Sequence, residues 1–558
     1  MVEEKKEQPD IKDNSDKQFS SSAPSRPLSD NTSDRKNMIS AYAWMTLAVL
    51  GSTILLTMYG ETMLLPAIPD IITEFNISYN TASWILTAYL IAGAVMTPIS
   101  GKLSDIYGRK KMVLIIMLIY LIGIFLGGLS SNITILIVSR IIQGIGISMF
   151  PIAFGIVRDR FPPEKLAIGV GTFSAMFAAG SVVGLAIGGS IIQSFGWRMT
   201  FLLIIPIAIL LWFIIKRFIN DANTDQQQVI QYSPSEKKST STVSAFSERI
   251  QSTESDNNNR LNSLKAADIT RSIDIKGALT LAITISSFLI VLSYLETANS
   301  NDGGRQVGQE SISSPIHIIL AFITIGIISL VSFIIIEKRT KSPLIDIKLI
   351  TNRIILPANI LLLFSFLAMF TVYQTIPILV RSPSMAGGFE GDAITTANIQ
   401  LPFMIVFLLF APSSGFVISK LGNIKPTLIG TIISAIGFFC IFFLHSTETM
   451  LAGTLAIIAT GLSLTQVGGF NIVLESTPRQ FSGISLGMTV LLNLIGGAIG
   501  PAFAGISMQA NQVFVNGSLF PSPQSYNLIF FSSALVSLAS VMLALLIKKR
   551  TFPDDKEF

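Results

Sequence analysis

Residues 101–111 read G-K-L-S-D-I-Y-G-R-K-K. On either side lie apolar runs, 81–103 and 112–129, each near the length of about 20 residues that a helix needs to cross the hydrocarbon layer. The stretch is therefore a short polar connection between two membrane spans, bracketed by Gly101 and Gly108 and followed by Arg109, Lys110 and Lys111. The rest of the chain has the same character. Of its 558 residues 50% are hydrophobic and 13% charged, against about 25% charged in an average soluble protein. Such a chain cannot cover a water-facing surface, and the sequence predicts an all-α polytopic membrane protein.

Working outward, apolar segments fall near 42–66, 81–103, 112–129, 133–157, 166–192 and 199–217, then near 275–296, 315–336, 354–380, 398–420, 425–445, 449–474, 482–507 and 527–547. These are fourteen spans, numbered here in chain order. Loops after even spans carry the cations: Lys102 and Arg109 to Lys111, Arg158, Arg160, Lys165, Lys338, Arg339, Lys341, Lys348, Arg353, Lys420, Lys425, Arg479 and the C-terminal Lys548, Lys549, Arg550 and Lys556. Loops after odd spans offer Arg198, Arg305 and Arg381. By the positive-inside rule both termini are expected in the cytoplasm, and the protein in the cell membrane. The same rule accounts for the net charge of +5 without nucleic acid. The single Cys440 excludes an internal disulfide, and with only His317 and His445 beside it no zinc site is expected.

The organisation expected is a disordered tail at 1–40, a six-helix bundle at 41–217, a disordered Ser/Asn/Gln-rich linker at 218–273, an inserted helix pair at 274–340, a second six-helix bundle at 341–550 and a tail at 551–558. The two bundles look related. Gly101 and Gly108 recur as Gly415 and Gly422, 314 positions later, and Gly171, Gly180 and Gly184 as Gly487, Gly496 and Gly500, 316 later; Leu185 stands where the second half has Pro501. Two repeated halves with a site between them are a transporter architecture.

The 101–111 stretch closely resembles the loop signature of the major facilitator superfamily. R-I-I-Q-G-I-G at 140–146, with Arg140, Gln143, Gly144 and Gly146, extends the match, as do Gly180, Gly184, Gly188 and Gly189, the F-P-P-E-K run at 161–165, and Trp197-Arg198. Fourteen spans and P-L-I-D-I-K-L-I at 343–350 are similar to the drug:proton antiporter branch. The sequence departs from that branch at Leu185, at Lys165, and at Gly60-Glu61, where an Asp commonly precedes the A-L-P run. The resemblance implies two six-helix bundles plus two extra helices. It also implies proton-driven export of small amphipathic or cationic compounds without a cofactor, and a gate at Gly101, Asp105, Gly108 and Arg109 in which Asp105 locks the halves together in the outward-open state. A transporter of the same fold with one metabolite, siderophore or osmolyte as substrate is the other reading. A membrane enzyme or channel is the third.

Charges inside the bilayer cost roughly 2.5–3.5 kcal/mol on insertion scales and are functional candidates by default. Glu61 and Arg140 stand out, at expected depths of about 8 Å and about 10 Å below the same membrane edge. Opposite sign at similar depth permits pairing, either as a proton-coupling site or as a static ion pair. Candidates for the substrate cavity are Tyr89, Gln143, Asn359, Gln374, Gln400, Asn471 and Asn493, with Gln466 and Trp84 weighed beside them; interhelical hydrogen bonding and an interfacial belt are the plainer roles. The small-residue row Gly180, Gly184, Gly188 is expected to pack helices closely, as are Gly496, Gly500 and Pro501, and a monomer suffices. G-I-S-L-G at 483–487 matches a hydrolase elbow, but it opens a membrane span far from either histidine, and no Walker sequence is present. The partners expected are a small-molecule substrate, protons and the lipid bilayer.

Overall fold

The computed structural model describes residues 40–161, 166–219, 275–299, 315–340, 351–477 and 482–551. The tail at 1–39, most of the linker, the residues of the F-P-P-E-K run after Phe161, Arg305, Arg479 and the 343–350 run lie outside the described residues. Among the described residues, the spans are helices in the expected order. Span 1 is α1 (Ala41–Thr62) followed, after a 3₁₀ turn, by α2 (Ile68–Phe75); span 2 is α3 (Tyr79–Tyr107) and span 3 α4 (Arg109–Gly128). Span 4 is α5 (Ile133–Gly144) and α6 (Met149–Arg160), span 5 α7 (Leu166–Phe195), and span 6 α8 (Arg198–Leu202) and α9 (Ile205–Phe218). The extra pair is α10 (Ile275–Asn299) and α11 (Pro315–Arg339). Then come α12 (Ile355–Arg381), α13 (Ala393–Leu421), α14 (Ile424–Phe443), α15 (Glu448–Glu475), α16 (Ser482–Ala510) and α17 (Pro523–Thr551). A hairpin of β1 (Gln512–Val515) and β2 (Ser518–Pro521) joins the last two, with Phe514 opposite Leu519. Among the described residues, twelve helical spans are long and apolar enough to cross a membrane, and two shorter apolar stretches, in α7 and α10, complete the fourteen.

The repeat is visible in the packing. On α7, Gly180 and Gly184 lie against the backbone of α1 at Leu55 and Tyr59; on α16, Gly496 and Gly500 lie against the backbone of α12 at Leu363 and Leu367. Leu55 and Leu363 are 308 positions apart, and so are Tyr59 and Leu367, so both sides of the seam recur. A side chain at any of these four glycines would strike main chain, which is why the small residues stand there. Gly188 continues the row against Met63. Pro98 inside α3 and Pro412 inside α13 share the 314-residue offset of the loop glycines.

The halves meet along α3 with α16 and α7 with α13. The bonds between them gather at the end of the bundle that carries Asp70. The Tyr79 backbone N–H donates to Gln509 Oε1 at 3.3 Å and its hydroxyl to the Leu519 carbonyl at 3.3 Å, Thr87 donates to the Ala498 carbonyl at 3.2 Å, and Arg381 pairs with Asp70. Gly505 of α16 faces Asn80 and Ser83, and Gly189 of α7 faces Ala393 and Ala397. At the opposite end Gly101, Gly415 and Gly487 face open space. Among the described residues, these bonds join the halves at the Asp70 end. Helix α10 packs on α11 and also on α3 and α16, so the extra pair lies along this seam.

Two local expectations are corrected. Span 1 does not stop near residue 66: Pro66 and Pro69, each suited to the first turn of a helix, start a 3₁₀ turn and then α2, which carries the span to Phe75. Glu61 therefore lies deeper than the expected depth of about 8 Å. Gly101 does not make a turn or a close approach; it sits inside α3, which runs to Tyr107, with nothing near it. The turn is made by Gly108 alone, at φ 93°, and by its counterpart Gly422 at φ 75°, a region where a side chain is strained.

Candidate functional site

The buried charge of the first half is Arg140, which is fully buried on α5. Its Nε donates to the Ile85 carbonyl at 3.0 Å, and one terminal nitrogen donates to the Gly60 carbonyl at 2.7 Å and to Gln143 Oε1 at 3.0 Å. The guanidinium lies over the Tyr89 ring, 4.3 Å from its centroid. Gln143, one turn along, donates Nε2 to the Gly123 carbonyl at 3.1 Å. Close helix approach makes this possible: Gly144 faces the Tyr89 backbone, Gly123 faces Gln143, and Gly60 and Gly146 face Tyr120. The Tyr89 hydroxyl donates to the Thr57 carbonyl at 2.9 Å and that of Tyr120 to the Leu56 carbonyl at 3.0 Å. Four helices, α1, α3, α4 and α5, are tied together around one guanidinium.

Glu61 follows Gly60 on α1 and is 7% exposed. It is within electrostatic reach of Arg140, Tyr89, Tyr120 and, from the other half, Tyr373. Yet among the described residues it forms no ion pair with Arg140. The expected pairing is corrected in that respect: Arg140 directs its donors to main-chain carbonyls and Gln143, and Glu61 keeps its oxygens uncommitted.

The other sequence candidates spread over both halves. Tyr89 and Gln143 are committed to the Arg140 network, so one face of the Tyr89 ring is covered. Trp84 packs, partly buried, against the core between the halves. In the second half Asn359 accepts from Thr489 at 2.8 Å, and Gln400 donates to the Tyr373 carbonyl at 3.3 Å. Among the described residues, both amide atoms of Gln374 and of Asn493, the Asn359 Nδ2, the Gln400 Oε1 and the Gln466 Nε2 are buried without a partner. Asn471 is half-buried. Pro501 is buried inside α16, beside Gly500. Of the residues expected to form a gate, Gly108 and Arg109 stand at the α3–α4 junction; the side chain of Asp105 lies outside the described residues.

The sequence reading missed Tyr120, Tyr373 and the Asp70–Arg381 pair. An isolated tyrosine in the apolar run I-I-M-L-I-Y-L-I-G is the signal for the first.

The family model described as Major Facilitator Superfamily matches residues 50–501 and 359–558. The chain belongs to the Major Facilitator Superfamily. As a member it is a secondary transporter by family, and its relatives carry related names. It is 26% identical over 449 residues to the multidrug transporter protein MdtP of Bacillus subtilis, covering 80% of this chain and 71% of that one. It is 23% identical over 526 residues to the riboflavin transporter RibZ of Clostridioides difficile, covering 91% and 98%. The crystal structure of the human organic anion transporter MFSD10 aligns with a TM-score of 0.55 at 14% identity, over 90% of this chain and 99% of that one, which is a likeness of fold.

Proposed function

We propose that this protein exports small amphipathic or cationic compounds across the cell membrane in exchange for protons, with Glu61 as the coupling carboxylate. The observation that carries the reading is the arrangement at α1: a buried carboxylate with uncommitted oxygens beside a guanidinium whose own bonds are made elsewhere. A carboxylate so placed can take a proton or a cationic substrate, and competition between the two is the simplest route to antiport. Arg140 supplies a fixed positive charge that favours release of the proton when water reaches the site. The names of MdtP and other multidrug relatives support the substrate class. The cation-rich Arg109 end faces the cytoplasm in this reading, as do both termini.

The test is transport by purified protein in liposomes. Glu61→Gln is expected to lose uphill export on a proton gradient, with cationic substrates affected more than neutral ones; a variant that still drives ethidium uphill would remove Glu61 from the coupling role. Asp105→Asn is expected to slow turnover while leaving substrate affinity nearly intact, because its charge biases one conformation. A second reading, a single nutrient-like substrate, is favoured by the near full-length match to RibZ; competition by riboflavin against a panel of dyes and quaternary ammonium compounds separates the two.

A further inference from the structure

The flank of the second half carries a groove that takes no part in the site above. It lies between α14 and α17, encloses about 500 Å³, and all nine residues lining it are apolar. That volume is in the range of ligand sites. The α14 wall runs from Ile432 to Leu444, and the α17 wall is Leu538 and Val541. Both helices are long and apolar enough to cross a membrane, and neither is among those along which the halves meet. Ile436 on the α14 wall is 53% exposed, so in a bilayer the groove opens on hydrocarbon.

The repeat shows what opens the groove. The 314-residue offset of the loop glycines continues into α14: Gly123 of α4 faces Gln143 of α5, and Gly437 of α14 faces Ile458 of α15, in each case the next helix. In that register Ile436 matches Ile122 and Phe439 matches Phe125. Between these matched residues, Ala435 and Cys440 stand where the first half has Leu121 and Leu126. Two smaller side chains therefore line the groove, Ala435 buried and Cys440 half-buried. Left unfilled, such a space forfeits the dispersion contacts of its walls.

Its length selects the occupant. From Ile432 to Leu444 the helix rises about 18 Å, little more than half of a hydrocarbon layer of about 30 Å. Ile429, 46% exposed and one turn earlier, is not part of the wall. A membrane span of a second copy would need the full depth, whereas an acyl chain of one leaflet does not. The helix starts behind the Gly422 turn, the counterpart of Gly108, so its last residues lie at the Asp70 end. There α14 stops at Phe443 and the chain turns polar at H-S-T-E, 445–448. The His445 ring rests on Phe530 of α17 at 5.1 Å, and its Nδ1 donates to the Ile441 carbonyl at 2.9 Å. Among the described residues its Nε2 has no partner, which leaves a polar atom beside Leu444 for a headgroup. We propose that the groove holds one acyl chain of a phospholipid from the leaflet at the Asp70 end, a resident lipid whose headgroup lies beside His445.

The test uses the full chain in vesicles of equal parts phosphatidylglycerol and phosphatidylcholine, both carrying a photoreactive diazirine in mid-chain. On irradiation, adducts are expected to concentrate on 432–444 and 538–541. The reference is Leu118 and Ile122 of α4, which match Ile432 and Ile436 in the repeat and are 51% and 50% exposed, so exposure alone predicts no preference. Native mass spectrometry in detergent is expected to show one phospholipid retained. Ala435→Leu with Cys440→Leu copies the first half at both positions. It should cut the retained lipid about tenfold, the scale of two buried methylenes lost to the occupant, and level the adduct map. If that variant fails to fold, the adduct map of the parent decides alone. Adducts spread evenly over α4 and α14 would mean bulk lipid only and overturn the proposal. Adducts displaced by ethidium would make the groove a substrate path, and dimer masses lost in the double variant would make it a contact between copies; either result overturns it too.

Discussion

Arg381, the last residue of α12, grips Asp70 of α2 with both terminal nitrogens, one on each carboxylate oxygen, and also donates to the Pro66 carbonyl at 3.4 Å. The pair joins residues 311 positions apart and lies where the two halves touch. Its side chains are 23% and 34% exposed, so water screens it and a contribution of about 1 kcal/mol is a fair scale. Asp70→Asn or Arg381→Gln should therefore raise the population open at this end by about fivefold. Spin labels on the two sides of the seam would report the change. The exchanged double variant Asp70→Arg with Arg381→Asp should restore the parental distance distribution, and failure to do so would mean that the ion pair is incidental.

Arg140→Lys should be far from conservative. Lysine offers one nitrogen where the guanidinium reaches the Ile85 and Gly60 carbonyls and Gln143 at once while lying over Tyr89. Orphaned buried carbonyls make the expected loss on the order of 3 kcal/mol, read as a lowered melting temperature in detergent together with lost transport.

The paired glycine seams make a matched experiment. Gly184→Val and Gly500→Val each drive methyl groups into the backbone of the facing helix, at Tyr59 and at Leu367 with Thr371. Each should cost about 1–3 kcal/mol or more through overpacking. Gly487→Ala, which faces open space in the same helix as Gly500, should be neutral or stabilising by up to about 1 kcal/mol. Equal tolerance at Gly487 and Gly500 would contradict the packing described.

Acid should act on the start of α13, outside the membrane. Asp392 caps that helix, accepting from the Thr395 N–H at 2.7 Å and its hydroxyl at 2.8 Å, and these bonds hold its carboxyl below the usual range, with Arg381 adding a smaller pull. A value lower in the folded than in the unfolded chain stabilises above the unfolded value, and the gain is lost as pH falls through the folded one. Asp392→Ala should thus cost about 1 kcal/mol at neutral pH and progressively less in acid. Melting curves across that range check it.

Much of this was legible in the sequence because membrane spans must satisfy their backbones internally and so announce themselves by length alone. The fourteen spans and the glycine offsets come from that constraint. Bond partners do not. Similar depth suggested that Glu61 would meet Arg140, but depth leaves the rotation of each helix open, and close packing at Gly60, Gly123 and Gly144 turned Arg140 toward main-chain oxygens instead. The break in span 1 was signalled by L-P-A-I-P at 65–69, where two prolines fit helix starts better than a helix interior. Asp70 and Arg381 carried no such mark; only the folded seam brings them together.

The spacing between equivalent residues is not constant along the two halves. It is 308 where α1 and α12 meet their glycine partners and 314 at the loop glycines that follow. The second half is therefore six residues longer between Leu367 and Gly415 than the first is between Tyr59 and Gly101. The helices on either side correspond closely, but α2 and α3 are joined by a short link at 76–78, whereas α12 and α13 are joined across 382–392. The two halves thus differ in length at one mouth of the transporter: on one a bare turn, on the other a longer loop leaving from Arg381 and ending in the Asp392 cap. That mouth is therefore unequal on its two sides, whatever symmetry the glycine seams keep.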